Sequence, residues 1–353
     1  MKPVRLPLPT LGVDLLSDET GLPNGAVRSA DNVDIRRDGS FKRRSGYEVQ
    51  VPGDGFHSLH SSSRGVLVGR NTNVYALNTS NFAPALLCNM GGHGPVDFTE
   101  WNGHTYFTNA HSAWWVPANE STARQVGVRL PDAIPLLEAH PAGALTPGKY
   151  SVALSRVDDR GEESETKLLG QVDVTAGIKL TFAVPDPDCF YRVYLTPPDG
   201  DVLYLSEEFS GAFAEFIVTR PPDGATRTSQ HLKPLIAGDF IRGHAGRLYV
   251  ARDDTLYFSA PLRPHLYDPR HNFIKFAGQI TFIEPVAGGL FVGDERGVWF
   301  LPGNEPEQFR LSKASDAVAV RRSSVVVNGT HFNKDLTQTD MDVVVWLSTE
   351  GYM

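Results

Sequence analysis

In the stretch NVDIRRDGSFKRRSG, Asn32 to Gly46, five of the nine residues from Arg36 to Arg44 are basic: Arg36, Arg37, Lys42, Arg43 and Arg44. A guanidinium is a planar fork of N–H donors that matches a carboxylate or a phosphate, and a lysine adds a mobile point charge. The chemistry on offer is anion docking. The rest of the chain is acidic. Its 33 Lys+Arg stand against 41 Asp+Glu, for a net charge of −8 and a pI of about 5.8. Bulk nucleic-acid binding calls for a basic face, so the expected anion is acidic protein. A complementary stretch, DDRGEESE from Asp158 to Glu165, is available for a neighbouring copy or another protein to meet.

No other group of residues composes a reactive centre. The 11 histidines scatter, and His93, His104 and His111 share a region without ordered cysteine or carboxylate spacing. His57 and His60 share a possible strand face only weakly. No G-x-S-x-G, H-E-x-x-H or phosphate-binding loop occurs. Asp186 and Asp188 in PDPDC read as turn residues rather than calcium ligands. Trp101, Trp114 and Trp115 could line a sugar-binding face, but they fit better as core aromatics. Cys88 and Cys189 have no partner motif and read as buried thiols. The expectation is a chain with no catalytic centre, no metal and no cofactor. No stretch approaches 18 consecutive apolar residues, and MKPVRLPLPTLG lacks the apolar core of a signal peptide, so a soluble protein made in a cytoplasm is expected. The sequons at Asn78, Asn119 and Asn328 then carry no weight.

The elements that must position the basic cluster are strands. With 33 Gly and 25 Pro, the chain has no convincing helical period beyond two turns. Four segments align: VLVGRNTNVYAL from Val66, TYFTNAHSAWWV from Thr105, LYVARDDTLYFS from Leu248 and LFVGDERGVWFL from Leu290. Each reads as an apolar strand, a polar turn of about four residues and a second strand with a central aromatic: Tyr75, Trp114, Tyr257 or Trp299. Glycines precede them at Gly65, Gly103, Gly246 and Gly289. VWLSTEGYM, Val345–Met353, reads as a fifth copy. The starts are 39 and 42 residues apart within the two pairs, a spacing typical of β-propeller blades. The 143 residues between the second and third starts leave about 100 beyond one blade, room for a small β-sandwich. The predicted fold is all-β: a divergent β-propeller of about five blades with an inserted fibronectin III-like β-sandwich. Residues 1–52 would be an N-terminal docking and closing segment with a basic β-hairpin around Asp38-Gly39. Residues 53–133 and 237–353 would be blades, and 134–236 the sandwich, with Tyr150, Val152, Leu154, Tyr191, Val193 and Leu195 in its core. The alternating strand periodicity supports these assignments.

The N-terminal stretch GVDLLSDETGLPNGAVRSADNVDIRRDGSFKRRSGYEV carries a more specific pattern. A Leu-Pro-x-Gly-Ala element (Leu22, Pro23, Gly25, Ala26) precedes Asn32, Val33, Asp34, Ile35, Gly39, Arg43, Gly46 and Tyr47. It resembles the opening of the tail nozzle, or tail-tube-end, proteins of short-tailed bacteriophages. The match covers about 40 residues. The resemblance implies a virion structural protein at the tail end. It would form a ring of six copies around the DNA ejection channel and contact tail adaptor or portal-side proteins and tail fibre or spike proteins. An acidic channel wall would let DNA slide through without specific binding. It also implies a subunit-docking role for Arg43 and its neighbours. The chain stops at Met353 in mid-hairpin, and the N-terminal hairpin is expected to complete the last blade. The competing expectation is a host-glycan-binding propeller, receptor-binding or lectin-like.

Overall fold

The computed structural model describes residues 8–352 except 19, 64, 131–133, 228, 230, 332–340, 349 and 350. Among the described residues every regular element is a strand, apart from two three-residue 3-10 turns, Pro306–Gln308 and Gly329–His331. Residues 1–53 and 54–353 form two compact units.

Within residues 54–353 the aligned hairpins become the central pairs of four antiparallel sheets. The first sheet is Phe56–Ser62, Gly65–Arg70, Asn73–Leu77 and Pro84–Asn89. The second is Asp97–Trp101, His104–Thr108, Ala113–Val116 and Arg124–Gln125. The third is Phe240–His244, Arg247–Arg252, Thr255–Phe258 and Phe273–Lys275, and the fourth Ile280–Val286, Gly289–Asp294, Gly297–Pro302 and Ser312–Ser315. Each is a four-stranded meander in chain order. The bends are tighter than expected. Arg70 pairs with Asn73, Arg252 with Thr255 and Asp294 with Gly297, leaving two residues in the turn. Asn71 and Asp253 make this possible by taking φ of 54° and 55°, which short polar side chains tolerate. The second sheet alone has a four-residue bend, Asn109 to Ser112, between the paired Thr108 and Ala113.

Alternation along the strands stacks these sheets face to face. Phe107 packs with Leu67 and Val74 of the first sheet, while its neighbour Tyr106 packs with Ile241 and Leu248 of the third. Val250 joins that second cluster. Tyr249 and Ala251 point the other way, onto Ile283, Leu290 and Val292 of the fourth sheet. A sheet covered on both faces needs apolar residues at successive positions, which is why LYVA and LFVG are continuous runs. The first strands also lie side by side: Asp97–Trp101 against Phe240–His244, and that strand against Ile280–Val286. The sheets therefore fan out from a common line of first strands. Trp101 comes so close that a Cβ on Gly243 would sit 2.4 Å from its ring.

Between the second and third sheets runs a seven-stranded, two-layer sandwich. One layer holds Leu136–His140, Gly177–Thr181 and Glu215–Val218. The other holds Lys167–Val174, Gly148–Val157, Phe190–Leu195 and Tyr204–Ser210. Tyr150, Val152, Leu154, Tyr191, Val193 and Leu195 are all buried in its core, beside Ile178, Leu180 and Phe209. The chain then returns through Lys233–Pro234, which pairs with Leu266–Tyr267.

The expected fifth copy is divided. Asp342–Val345 pairs back with Val325–Asn328, whereas Leu347–Ser348 pairs with Gly351–Tyr352. Trp346, between them, is buried against Phe282 at a ring separation of 5.9 Å. Its burial turns the chain out of one sheet and into another. Thr349, Glu350 and Met353 lie outside the described residues.

Residues 1–53 hold a short parallel pair, Gly12–Val13 with Ala26–Val27, and the expected hairpin, Val33–Ile35 with Phe41–Arg43. Among the described residues the hairpin is a two-stranded sheet. Its turn is not the two-residue Asp38-Gly39 bend. Arg36 N–H donates to Ser40 O (2.9 Å) and Gly39 N–H to Arg36 O (2.8 Å), enclosing three residues, with Gly39 at φ 77°. This is the three-residue hairpin loop that ends in a left-handed glycine.

Candidate functional site

Strand register sorts the five cations. Directly opposed residues on a hairpin share a face. Val33 opposes Arg43 and Ile35 opposes Phe41, so one face is apolar with a single cation. Asp34 opposes Lys42 on the other face, where Arg44 Nε lies 2.7 Å from Asp34 Oδ1. Arg36 and Arg37 sit at the turn. Asp38, the next residue, accepts hydrogen bonds from Ser40 Oγ (2.7 Å) and N–H (2.9 Å), which hold its carboxyl below the usual range. All five basic side chains are exposed. The Arg44–Asp34 pair, 61% and 55% exposed, contributes about 0–1 kcal/mol. It neutralises one cation and leaves Arg36, Arg37, Lys42 and Arg43 without an ion-pair partner among the described residues.

Among its described residues this unit has no hydrophobic core cluster. The only buried residues among those described in 8–53 are Pro9, Gly25 and Gly39. Leu15, Leu16, Phe41, Tyr47 and Val49 are exposed, Leu16 to 99% and Tyr47 to 97%.

The acidic stretch Asp158–Glu165 does something different from what its composition suggested. It joins two strands of the sandwich and is spent inside the chain. Arg124 of the second sheet grips Asp159 with both guanidinium ends (2.6 and 3.0 Å). Glu163 accepts from Tyr194 Oη (2.6 Å), Ser155 Oγ (2.5 Å) and Arg192 Nη1 (2.9 Å). Asp158 Oδ1 accepts the N–H groups of Arg160 (3.0 Å) and Glu162 (2.8 Å). Arg160 reaches Glu120 and lies over the Trp115 ring at 4.9 Å. Glu162 Oε1 stands 3.7 Å from His265 Nδ1 of the third-sheet region, and His265 Nε2 is 3.3 Å from Glu163 O. Burial, reinforced by Asp158, pushes the Glu162 carboxyl up to about 7, and burial lowers His265. The stretch is a clasp between the sandwich and the second and third sheets. Beside it opens a cleft of about 700 Å³ lined by Trp115, Arg129, Arg156, Glu162, Asp188 and Phe190.

A second ionic group was not foreseen. Where the first strands converge, Arg242 bonds Asp97 Oδ2 (2.5 Å) and both oxygens of Glu284 (3.1 and 3.2 Å). Asp97 also accepts Ile241 N–H (2.7 Å), and Glu284 accepts Ser324 Oγ (2.8 Å). Arg321 and Arg322 stack on Phe240 at 5.1 and 4.8 Å, and Arg321 pairs with Asp239 at 3.0 Å. Burial raises the Asp97 carboxyl despite its cation. Burial opposes the charge on Arg242, but its two carboxylates outweigh this and keep it firmly protonated. The available sequence signal was a charge embedded in each apolar first strand: Asp97 in VDFTEW, Arg242 in FIRGH and Glu284 in TFIEPV. These side chains are at most 17% exposed. They fill the convergence line.

The other candidates separate. Trp115 stacks on Tyr106 at 5.6 Å and is buried, Trp101 packs beside the same cluster, and Trp114 donates to Ser112 Oγ at 2.9 Å. His104 meets Trp115 edge-on at 5.1 Å, and His60 stacks on Phe98 at 5.0 Å. Asp186 pairs with Arg156 at 2.6 Å. Among the described residues no group of three or more His, Cys, Asp or Glu could hold a metal ion, and no helix is long and apolar enough to cross a membrane.

The sequence matches no family model and no curated protein. Solved structures similar to the chain include BBS1N in complex with ARL6DN, from a crystal soaked with mercury. It is 12% identical, covers 91% of this chain and 84% of that one, and has a TM-score of 0.31. Hsv2 of Kluyveromyces lactis is 14% identical, covers 78% and 75%, and has a TM-score of 0.23. Likeness at these scores carries no argument. The architecture rests on the strand pairings and cores above.

Proposed function

We propose that this chain is a structural protein of a bacteriophage tail, assembling into a ring at the tail end around the DNA ejection path. The four stacked meanders are blades of a β-propeller, and the inserted seven-stranded layer pair is a fibronectin III-like module. The observation that carries the reading is the N-terminal unit, which has no hydrophobic core cluster among its described residues. A two-stranded hairpin is marginal in water, and apolar side chains as exposed as Leu16 and Tyr47 mark an interaction surface. The motif that resembles tail nozzle proteins lies in this same unit. The charged residues that fill the convergence line leave DNA to pass between copies rather than through one. The ring holds six copies, and its neighbours are adaptor or portal-side proteins and fibres or spikes. Negative-stain microscopy and light scattering of the purified chain, with antibody labelling of virions, test this. Rings and label at the tail end are expected. A monomer at all concentrations, or label elsewhere, rejects it.

The cleft beside the clasp favours a second reading, host-glycan binding. Phe190, Arg129 and Asp188 offer aromatic and polar groups where the second sheet meets the sandwich. Binding on a glycan array that is lost in Arg129→Ala and Asp188→Ala would support it.

A further inference from the structure

The ring reading does not say which surface meets which. The register of the hairpin does. Lys42 and Arg44 share a face with Asp34, so that face is partly neutralised. The opposite face presents Val33, Ile35, Phe41 and Arg43, with Phe41 58% exposed. An apolar patch around one guanidinium suits a buried anchor flanked by a carboxylate.

We propose that this face docks onto the sandwich of a second copy of the chain. Charge selects the occupant. Residues 1–53 hold eight Lys+Arg and seven Asp+Glu, leaving 25 and 34 for residues 54–353. Most of that acidic excess lies in residues 134–236, with nine Lys+Arg against fifteen Asp+Glu. The clasp uses several of these carboxylates. Asp173, Asp188, Asp201 and Asp223 have no ion-pair partner among the described residues. The same region exposes apolar side chains, including Leu168 (56%), Val202 (51%) and Phe213 (56%). It therefore offers both complements, acid and apolar. Tyr47 and Phe41 are exposed, and a second copy would cover them. The inference rests on the self-assembly part of the proposed function and adds the two surfaces.

The test places a photo-crosslinking phenylalanine at Phe41 or at Lys42 of the full chain and mixes isotopically light and heavy copies. Phe41 is expected to link light to heavy copies, with products mapping to residues 134–236, and Lys42 to do so at least about fivefold less. Arg43→Glu should weaken association of copies about tenfold or more, corresponding to ~1.4 kcal/mol, and Arg43→Lys should restore it in part. Links from Phe41 confined to one copy, or mapping only to residues 237–353, overturn the proposal. So does association that needs added duplex DNA. Rings that form without Phe41 links remove the face assignment and leave the ring reading standing. A chain that never associates removes both. Circular dichroism melts of each variant separate lost docking from lost folding.

Discussion

Arg242 Nη1 lies 2.5 Å from Asp97 Oδ2 although the two residues are 145 positions apart. The same guanidinium spans Glu284, so one side chain ties the first strands of three successive sheets together. Removing one member of a buried ion pair leaves the others charged and unpaired, a cost of roughly 3–5 kcal/mol. Arg242→Met is expected to lower stability by about that much. Arg242→Lys should recover little, because an ammonium lacks the fork that reaches two carboxylates. Chemical denaturation reads both. An Arg242→Met protein with a wild-type midpoint would show the triad to be incidental.

Stability should also depend on pH through the clasp. The Glu162 carboxyl is raised from its ordinary 4.5 to about 7. A raised carboxyl favours the folded state fully below the unfolded value. That contribution is lost as pH rises from about 4.5 through 7. His265, lowered by burial, works in the opposite sense below its ordinary 6.5. The informative quantity is therefore the difference between Glu162→Gln and wild type. The variant should gain relative stability from pH 5 to pH 8, by at most on the order of 3 kcal/mol. Parallel melts at four pH values measure it, and a flat difference counts against the assignment.

Gly39→Ala should loosen the basic hairpin selectively. The residue has φ 77°, and an added Cβ would lie 2.7 Å from Leu8 Cβ. The left-handed backbone alone costs about 1–2 kcal/mol for an L residue. Limited proteolysis should cut residues 1–53 faster, while the melting of residues 54–353 stays unchanged. Equal cleavage rates would contradict the turn geometry.

Cys88 should not react in the folded protein. Burial pushes its thiol up to about 12, and its Sγ sits 3.8 Å from Met90 Sδ. Since the thiolate is the reactive form, a disulfide reagent at pH 8 should label it only after denaturant is added. Cys189, buried and likewise raised, should follow. Rapid labelling under native conditions would mean this part of the first sheet opens.

Much of the fold was legible because the hairpins carry their own period. Tyr75, Trp114, Tyr257 and Trp299 oppose Val68, Phe107, Val250 and Val292 in matching register. The sandwich core was readable from strict alternation through Tyr150, Val152 and Leu154. The fate of Asp158–Glu165 was not. Free and internally paired carboxylates have the same composition, and only Arg124 and Arg192, distant in sequence, distinguish them. The two faces of the basic hairpin were likewise hidden. Whether Arg43 or Arg44 meets Asp34 turns on a register of one residue.

The sandwich sits inside the long segment that the Asp97–Arg242 pair must close. For a flexible segment the entropic penalty of closure grows only logarithmically, about 0.6 kcal/mol per doubling of length. The insertion therefore weighs little on equilibrium stability, and its consequence is temporal. A sandwich that has already folded shortens the slack between the second and third sheets before they meet. Synthesis from the N-terminus delivers its residues before those of the third sheet, so layers that fold on their own would act as a splint for the joint that follows them.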